Sequence, residues 1–178
     1  MKKDVDSVKI LVVSDSHGDA EILERLKQRY EQETVAMIHC GDSELPYGHS
    51  ALKNFIYVKG NCDIDSRFLN ERVEDVAGYR FFITHGHLYN IKMTLQNISY
   101  KVEEVQANIA LFGHSHQAGS TMGPDHVLYV NPGSILLPRG RKERTYVILE
   151  IEGSTINVDF YDREGNPLKN LSATYQMN

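Results

Sequence analysis

Five short apolar runs in this chain each end abruptly in side chains that can bind a metal ion. The runs cover residues 10–13, 35–38, 55–58, 81–84 and 109–112, and the polar segments that follow them are rich in aspartate, asparagine and histidine. A short apolar run bounded by glycine or polar residues is typical of a strand buried on both faces, as found in α/β proteins. Because ligand sites in such folds lie beyond the carboxyl ends of the strands, the five polar segments are expected to meet at one rim.

Two amphipathic segments between these runs predict helices. Residues 19–33 place one apolar face at helical spacing, and residues 92–106 place another; the faces consist of Ile22, Leu23, Leu26 and Tyr30, and of Leu95, Ile98, Val102 and Val105. A hairpin is expected between Asn61 and His85, with its turn at Ala77-Gly78-Tyr79. Residues 146–151 and 155–160 are typical of antiparallel strands. The pattern predicts two sheets packed face to face with helices outside.

The length of 178 residues predicts a single domain covering residues 1–178, with a polar tail from Asn166 onward that is mobile or loosely docked. The chain has 19 lysine and arginine residues against 24 aspartate and glutamate residues, a net charge of −5. A stable complex with nucleic acid is therefore not expected, since no basic surface attracts the phosphates. An anionic substrate needs local positive charge, which metal ions can supply.

The expected compartment is the cytoplasm. Cys40 and Cys62 are the only cysteines, too few for a disulfide framework, and no apolar run approaches the length of a membrane span. The apolar stretch 10–13 is also too short for the core of a signal peptide. No membrane partner is expected, and the sequence leaves a homo-oligomer open.

The polar segments combine the donors that a two-metal site uses. Two His-x-His pairs, His85/His87 and His114/His116, follow apolar runs. A carboxylate can bridge two divalent ions about 3.5–4 Å apart, and Asp42 is the best bridging candidate because Gly41 permits a tight turn beside it. Taken singly, a segment could have a purely structural role: Asp15 could cap the following helix, and the Gly-Asn and Gly-His pairs could be ordinary turns. The order of the segments weighs against these roles.

The segments resemble the calcineurin-like metallophosphoesterase superfamily, whose blocks read D-x-H, G-D, G-N-H-[DE], H and G-H-x-H. Here the blocks are Asp15-Ser16-His17, Gly41-Asp42, Gly60-Asn61-Cys62-Asp63, His85 and Gly113-His114-Ser115-His116. The resemblance spans residues 8–151. It is strongest to the small YfcE-like phosphodiesterases, which share the cysteine of the third block and a later block, here Asn131-Pro132-Gly133-Ser134.

The resemblance implies a four-layer αββα sandwich of two mixed sheets flanked by helices, with a dinuclear metal site at the carboxyl ends of the strands. By position, the first ion would be held by Asp15, His17, Asp42 and His116, and the second by Asp42, Asn61, His85 and His114. The implied activity is a metal-dependent phosphodiesterase, a hydrolase of phosphoric ester bonds in which hydroxide attacks phosphorus in line. The substrate would be a small phosphodiester. Mn²⁺ is the first choice of metal, with Ni²⁺, Co²⁺, Fe²⁺ or Zn²⁺ as alternatives.

The chain departs from larger family members at Cys62, where they carry a histidine suited to protonating the leaving group. A thiol is a poorer general acid near neutral pH. Either His87 donates the proton, or the enzyme depends on leaving groups that need little help. Asp63 could orient a neighbour through a hydrogen bond or be a turn residue, and Arg139 could contact a substrate phosphate or lie in a solvated loop.

Two further functions remain open on the same fold. The retromer scaffold subunit shares it and binds protein partners with weak or no hydrolysis, and a phosphomonoesterase would use the same metals. The presence of all seven candidate ligands favours an enzyme, whereas Cys62, in place of the expected acidic histidine, leaves the scaffold hypothesis open.

Overall fold

Two β-sheets form the centre of the structure, a computed structural model that describes residues 7–178. The strands are β1 Val8–Val13, β2 Thr34–His39, β3 Phe55–Tyr57, β4 Glu71–Val76, β5 Tyr79–Thr84, β6 Ile109–Leu111, β7 Gly119–Met122, β8 Leu128–Asn131, β9 Thr145–Glu152, β10 Thr155–Asp162 and β11 Ala173–Gln176. The helices are α1 Ala20–Tyr30 and α2 Gln96–Val105, with short 3₁₀ turns at Ser50–Leu52 and His87–Tyr89. Within these residues, no helix is long and apolar enough to cross a bilayer.

Each sheet is mixed, with its parallel strands at one side of the six-stranded sheet and in the middle of the five-stranded sheet. The six-stranded sheet has the order β11-β10-β9-β1-β2-β3, and the five-stranded sheet has the order β4-β5-β6-β8-β7. Strands β1, β2 and β3 are parallel, as are β5, β6 and β8, whereas the other pairs are antiparallel. The parallel strands within each sheet end on the same side, so their following loops can approach one another.

The apolar side chains separate into three layers. Inward residues of both sheets, such as Val12 and Ile83, form the interior between the sheets. Leu23 of α1 packs on the outer face of the first sheet against residues such as Leu11, and Ile98 of α2 packs on the second sheet. Burial of each such side chain is worth about 1.5–3 kcal/mol. The predicted four-layer αββα sandwich is confirmed.

The predicted hairpin is β4–β5, and its turn contains two of the three expected residues, Ala77 and Gly78. Ala77 has φ +53° and Gly78 has φ +83°, so both central residues occupy the left-handed region. Two such residues match the right-handed twist of the paired strands. Tyr79, which the sequence places in the turn, begins β5 instead.

Helix α2 begins later than residue 92, because the preceding residues are used in a turn. Asn90 has φ +52°, and its carbonyl accepts the N–H groups of Met93 and Thr94. The helical face is as predicted, with Ile98 and Val102 buried. Similarly, α1 ends at Tyr30 rather than at residue 33.

The expectation of a mobile or loosely docked tail from Asn166 is wrong for its last part. Strand β11 pairs antiparallel with β10, and Met177 is buried against the interior of the sandwich. The Met177 N–H also donates to the carbonyl of Ser154. The side chains of the tail alternate between the two faces of the sheet, since Tyr175 faces the core and Thr174 bonds to Asn157 on the outer face. An alternation with a period of two residues is typical of a strand with one face buried.

Candidate metal centre

The predicted ligands come from five loops that follow the carboxyl ends of β1, β2, β3, β5 and β6. Four of their side chains meet around one carboxylate oxygen, Asp15 Oδ1. It lies 3.0 Å from His116 Nε2, 3.7 Å from His17 Nε2 and 3.8 Å from His85 Nε2. Residues from three separate loops are thereby brought into one cluster.

Asp42, Asn61 and His114 surround His85 on the other side. His85 Nε2 lies 3.2 Å from Asp42 Oδ2 and 3.1 Å from Asn61 Oδ1, and its ring centroid is 5.1 Å from that of His114. The side chains form two overlapping groups around Asp15 that could each hold an ion, Asp15 with His17 and His116, and Asp15 with Asp42 and His85. A third group of possible donors, His17 with Glu44 and Cys62, lies beside them. The structure therefore brings the seven predicted ligands together, with Asp15 rather than Asp42 common to both groups.

The hydrogen bonds of three histidines leave one ring nitrogen of each directed at Asp15. His85 Nδ1 bonds to the carbonyl of Cys40 at 2.8 Å, and His116 Nδ1 bonds to the carbonyl of Leu137 at 2.7 Å. Since a carbonyl only accepts, each Nδ1 carries a hydrogen, and in the neutral imidazole the lone pair that a metal would use is therefore on Nε2. His17 Nδ1 is held in the same way by Glu44, at 3.1 Å.

Asp15 provides an independent test of the fit to a metal. The residue is 0 % exposed, and Oδ1 has no hydrogen-bond partner, although Oδ2 accepts from Ser14 Oγ at 2.6 Å. A buried carboxylate oxygen without compensation is costly, and a cation would satisfy it. Carboxylate, amide and imidazole donors suit Mn²⁺, Fe²⁺, Co²⁺, Ni²⁺ and Zn²⁺. The residues present therefore fit divalent ions.

The charges of the cluster favour ionised carboxylates. Burial alone would raise the pKa of Asp42, but the hydrogen bond and charge of His85 and the N–H of Cys62 outweigh it, so the pKa is lowered. Burial alone would lower the pKa of His85, but Asp42 and Asp15 outweigh it and raise the pKa. The pKa of His114 falls to about 4, first through burial and then through the charge of His85. The carboxylates are thus ready to bind cations.

Backbone strain is concentrated in the same loops. The left-handed region contains Asp15 (φ +55°), His17 (+42°), Asp42 (+56°), His114 (+68°) and His116 (+59°). Such conformations cost about 1–2 kcal/mol each in a non-glycine residue, so the surrounding contacts must hold them.

The structure also excludes a capping role for Asp15, because Asp19 Oδ1 accepts the N–H of Ile22 at the start of α1.

Two glycines allow the loops to approach closely. A Cβ atom at Gly60 would collide with the carboxylate of Asp42, and one at Gly113 would collide with Ser14 Oγ and Asp15 Oδ2. The glycines in the third and fifth blocks are therefore required by the packing of the ligands.

Asp63, a candidate catalytic residue in the sequence, has its carboxylate occupied by backbone donors. Oδ2 accepts from the N–H groups of Asp42 (2.8 Å) and Gly60 (2.7 Å), and Oδ1 accepts from the N–H of Glu44 (2.8 Å) and from Ser43 Oγ (3.3 Å). The residue is 5 % exposed. This arrangement fits the orienting role rather than a catalytic one.

The three remaining candidates lie at the edge of the cluster. The N–H of Cys62 donates to Asp42 Oδ1 at 2.7 Å, and burial with the charge of Asp42 raises the pKa of its thiol to about 11. The His87 ring lies 5.5 Å from His85 and 6.1 Å from His114, its Nδ1 is buried without a partner, and burial lowers its pKa. The Arg139 side chain is exposed, while its N–H donates to the carbonyl of His116.

Of the side chains that hold the ligand loops, sequence reasoning missed Glu44. Buried His39 accepts the N–H of Gly41 at Nδ1, so its Nε2–H donates to Ser16 Oγ and joins two ligand loops. Glu44, which holds His17, gave no signal beyond its position two residues after Asp42. Asn131 Nδ2 donates to the carbonyl of Gly113 and so supports the loop that carries His114.

Known proteins share both the sequence and the fold. Residues 8–154 match the family model described as the calcineurin-like phosphoesterase superfamily domain. A probable metallophosphoesterase, YsnB of Bacillus subtilis, is 45 % identical over 162 residues, which cover 91 % of this chain and 95 % of YsnB. A predicted phosphoesterase from Streptococcus pneumoniae superimposes with a TM-score of 0.92 at 35 % identity, covering 96 % of this chain and 98 % of the other.

More distant structures share the fold alone. YfcE, a phosphoesterase from E. coli, has a TM-score of 0.67 at 21 % identity, covering 96 % of this chain and 100 % of YfcE. Vps29 from Entamoeba histolytica, in complex with Zn²⁺, has a TM-score of 0.74 at 17 % identity, with the same coverage.

Proposed function

Because this chain belongs to the calcineurin-like phosphoesterase superfamily, we propose that it is a metal-dependent phosphodiesterase acting on small phosphodiesters. The observation that carries the proposal is the buried, unpartnered Oδ1 of Asp15 with three imidazole nitrogens within 3.8 Å of it. Such a cluster is costly without cations and is well matched to them.

Two divalent ions would be held by the seven ligands in the assignment that the family resemblance implies. Asp15, His17, Asp42 and His116 would hold the first, and Asp42, Asn61, His85 and His114 the second. When bound, the ions would lower the pKa of water toward about 7 and offset charge on the phosphoryl oxygens, which supports in-line attack by hydroxide. Mn²⁺ is our first choice, with Ni²⁺, Co²⁺, Fe²⁺ and Zn²⁺ as alternatives.

The protein's own contribution is to hold the ligands rigidly. His85 and His116 are fixed by the carbonyls of Cys40 and Leu137, so their Nε2 atoms need not reorient when a substrate arrives. Asp63 holds the loops of Asp42 and Gly60 together through their N–H groups. Arg139 is proposed to contact a substrate phosphate from the loop next to His116.

Removal of the metal is expected to abolish turnover and to destabilise the fold. Dialysis against EDTA should eliminate hydrolysis of bis(4-nitrophenyl) phosphate, and Mn²⁺ should restore it. At a metal concentration of about 100 Kd, binding stabilises the folded state by about 2.7 kcal/mol, which corresponds to a Tm higher by roughly 5–10 °C. The measurements are turnover and calorimetry before chelation, after it and after metal return. Full turnover after complete metal removal would refute the metal requirement.

The leaving group is expected to control the rate. With a thiol at Cys62 in place of histidine, aryl diesters should be cleaved faster than alkyl diesters by about a hundred-fold or more, since phenolates leave without protonation. Rates on bis(4-nitrophenyl) phosphate and dimethyl phosphate test this, and equal rates would contradict it. His87→Gln distinguishes the two hypotheses for the proton donor, since a donor at His87 predicts a large loss on alkyl substrates alone.

Two alternatives give different results in the same assays. A phosphomonoesterase would prefer 4-nitrophenyl phosphate over the diester. A binding scaffold on the same fold would retain metal while showing no turnover with any ion. A cytoplasmic location is proposed from the two free cysteines, Cys40 and Cys62.

A further inference from the structure

A cavity of about 480 Å³ lies beside the metal centre and has no role in the chemistry above. It is lined by Glu44, Leu45, Pro46, Cys62, Asp63, Ile64 and Asp65. Three of these residues contact ligands directly, since Glu44 bonds to His17 at 3.1 Å, the Cys62 N–H donates to Asp42 at 2.7 Å, and Asp63 accepts the Asp42 N–H at 2.8 Å. The cavity therefore borders the site, and its volume falls in the range of small-molecule sites.

The walls of this cavity are largely apolar. Leu45 and Pro46 contribute one part, and Ile64 contributes another. The Ile64 side chain is 95 % exposed, so it packs against almost nothing in the folded chain. A large apolar side chain left uncovered beside a polar centre is informative, because a ligand that covers it removes apolar surface from water.

The charged groups around the cavity disfavour a second anion. Glu44 keeps a side chain that is 40 % exposed, whereas Asp65 is neutralised by Arg67 at 2.6 Å and Asp63 is bonded to backbone N–H groups. None of the residues lining the cavity is a lysine or an arginine. An anionic substituent would meet the Glu44 carboxylate with no lysine or arginine in the lining to bind it, whereas a neutral or cationic substituent would avoid that repulsion.

We propose that this cavity binds one ester group of the phosphodiester substrate and selects an apolar group that is neutral or cationic over an anionic one. The inference rests on the proposed function and narrows its substrate class. It predicts that small diesters with uncharged or positively charged substituents are preferred, and that diesters carrying further phosphates or carboxylates are poor substrates.

The test introduces a positive charge into the cavity. The probes are diphenyl phosphate and its bis(4-carboxy) and bis(4-trimethylammonio) derivatives, measured as competitive inhibitors of bis(4-nitrophenyl) phosphate hydrolysis with Mn²⁺. Each probe is symmetric, so the same group enters the cavity in either orientation. Ile64→Lys should improve inhibition by the carboxylated diester about five-fold relative to diphenyl phosphate, weaken the cationic one similarly, and lose both effects at high salt.

Val35→Lys is the matched control. Val35 is also an exposed β-branched residue, 59 % exposed, but it lies near the start of β2, whereas the metal centre follows the end of that strand. The Val35→Lys variant should leave the inhibition constants of the two charged probes, relative to that of diphenyl phosphate, unchanged. Equal ratios in Ile64→Lys and Val35→Lys would overturn the cavity assignment while the phosphodiesterase proposal stands. If the unmodified protein hydrolyses no diester with any of the metals, both proposals fail.

Discussion

Replacing Asp42 with asparagine is expected to remove bound metal and turnover together. The variant should retain well under one ion per chain, and kcat/KM for bis(4-nitrophenyl) phosphate should fall by about a thousand-fold, the effect of losing a principal electrostatic contact. The physical reason is charge, because an amide keeps the shape of the carboxylate but cannot bridge two cations. Metal analysis of the purified variant and steady-state kinetics provide the two measurements.

A comparison with Asp15→Asn decides which carboxylate is shared. If Asp42 bridges the ions, as proposed, Asp15→Asn removes one ion and Asp42→Asn removes both. Asp15 Oδ1 lies 3.0–3.8 Å from three histidines, so Asp15 is the alternative candidate for the shared carboxylate. Retention of one ion in Asp42→Asn, with none in Asp15→Asn, would transfer the bridging role to Asp15.

The control for these variants is Asp75→Asn. Asp75 is an exposed carboxylate paired with Arg80 at 2.9 Å on the hairpin of β4 and β5. Its replacement removes the same charge without touching the cluster, so metal content and turnover should match the unmodified protein. Normal metal content and normal turnover in Asp42→Asn would refute the assignment of this ligand.

Asp63→Asn is expected to destabilise the fold by about 3 kcal/mol, and consequently to weaken metal binding. The carboxylate accepts from three N–H groups, two of them in buried bonds, and an amide must turn its NH₂ toward at least one of the three. The Tm should fall by roughly 6–12 °C. Because the lost bonds belong to the loops of Asp42 and Gly60, metal affinity should fall as well, whereas added metal should recover much of the turnover.

Asp162→Asn is the control that tests whether the burial of Asp63 causes the loss of stability expected in Asp63→Asn. Asp162 also accepts bonds from Glu164 N–H and from Asn166, but in a solvent-accessible turn where water can replace them. The free energy of unfolding should fall by less than about 1 kcal/mol in Asp162→Asn. If Asp63→Asn is as stable as Asp162→Asn and its turnover cannot be recovered with metal, Asp63 acts in catalysis rather than in positioning.

Local patterns were sufficient for most of the architecture. Continuous apolar runs predicted five of the six parallel strands. The 3.6-residue spacing of Ile22, Leu23, Leu26 and Tyr30 predicted α1, and Ala77-Gly78 predicted a hairpin, because each depends on short-range geometry. Strands β7, β8 and β11 were not predicted. Strand β8 is wholly buried and pairs with β6, whereas β7 and β11 are short edge strands that pair with β8 and β10.

The kinds of ligand in this protein were determined by the sequence itself, since block order and residue type specify which oxygen and nitrogen donors follow each strand. Only the tertiary structure decided how these donors are oriented. The tautomers of His85 and His116 depend on carbonyls at Cys40 and Leu137, the support of His17 depends on Glu44, and the isolation of Asp15 Oδ1 depends on burial. These are contacts between residues 21–45 positions apart or burial by distant strands, and no local periodicity encodes them.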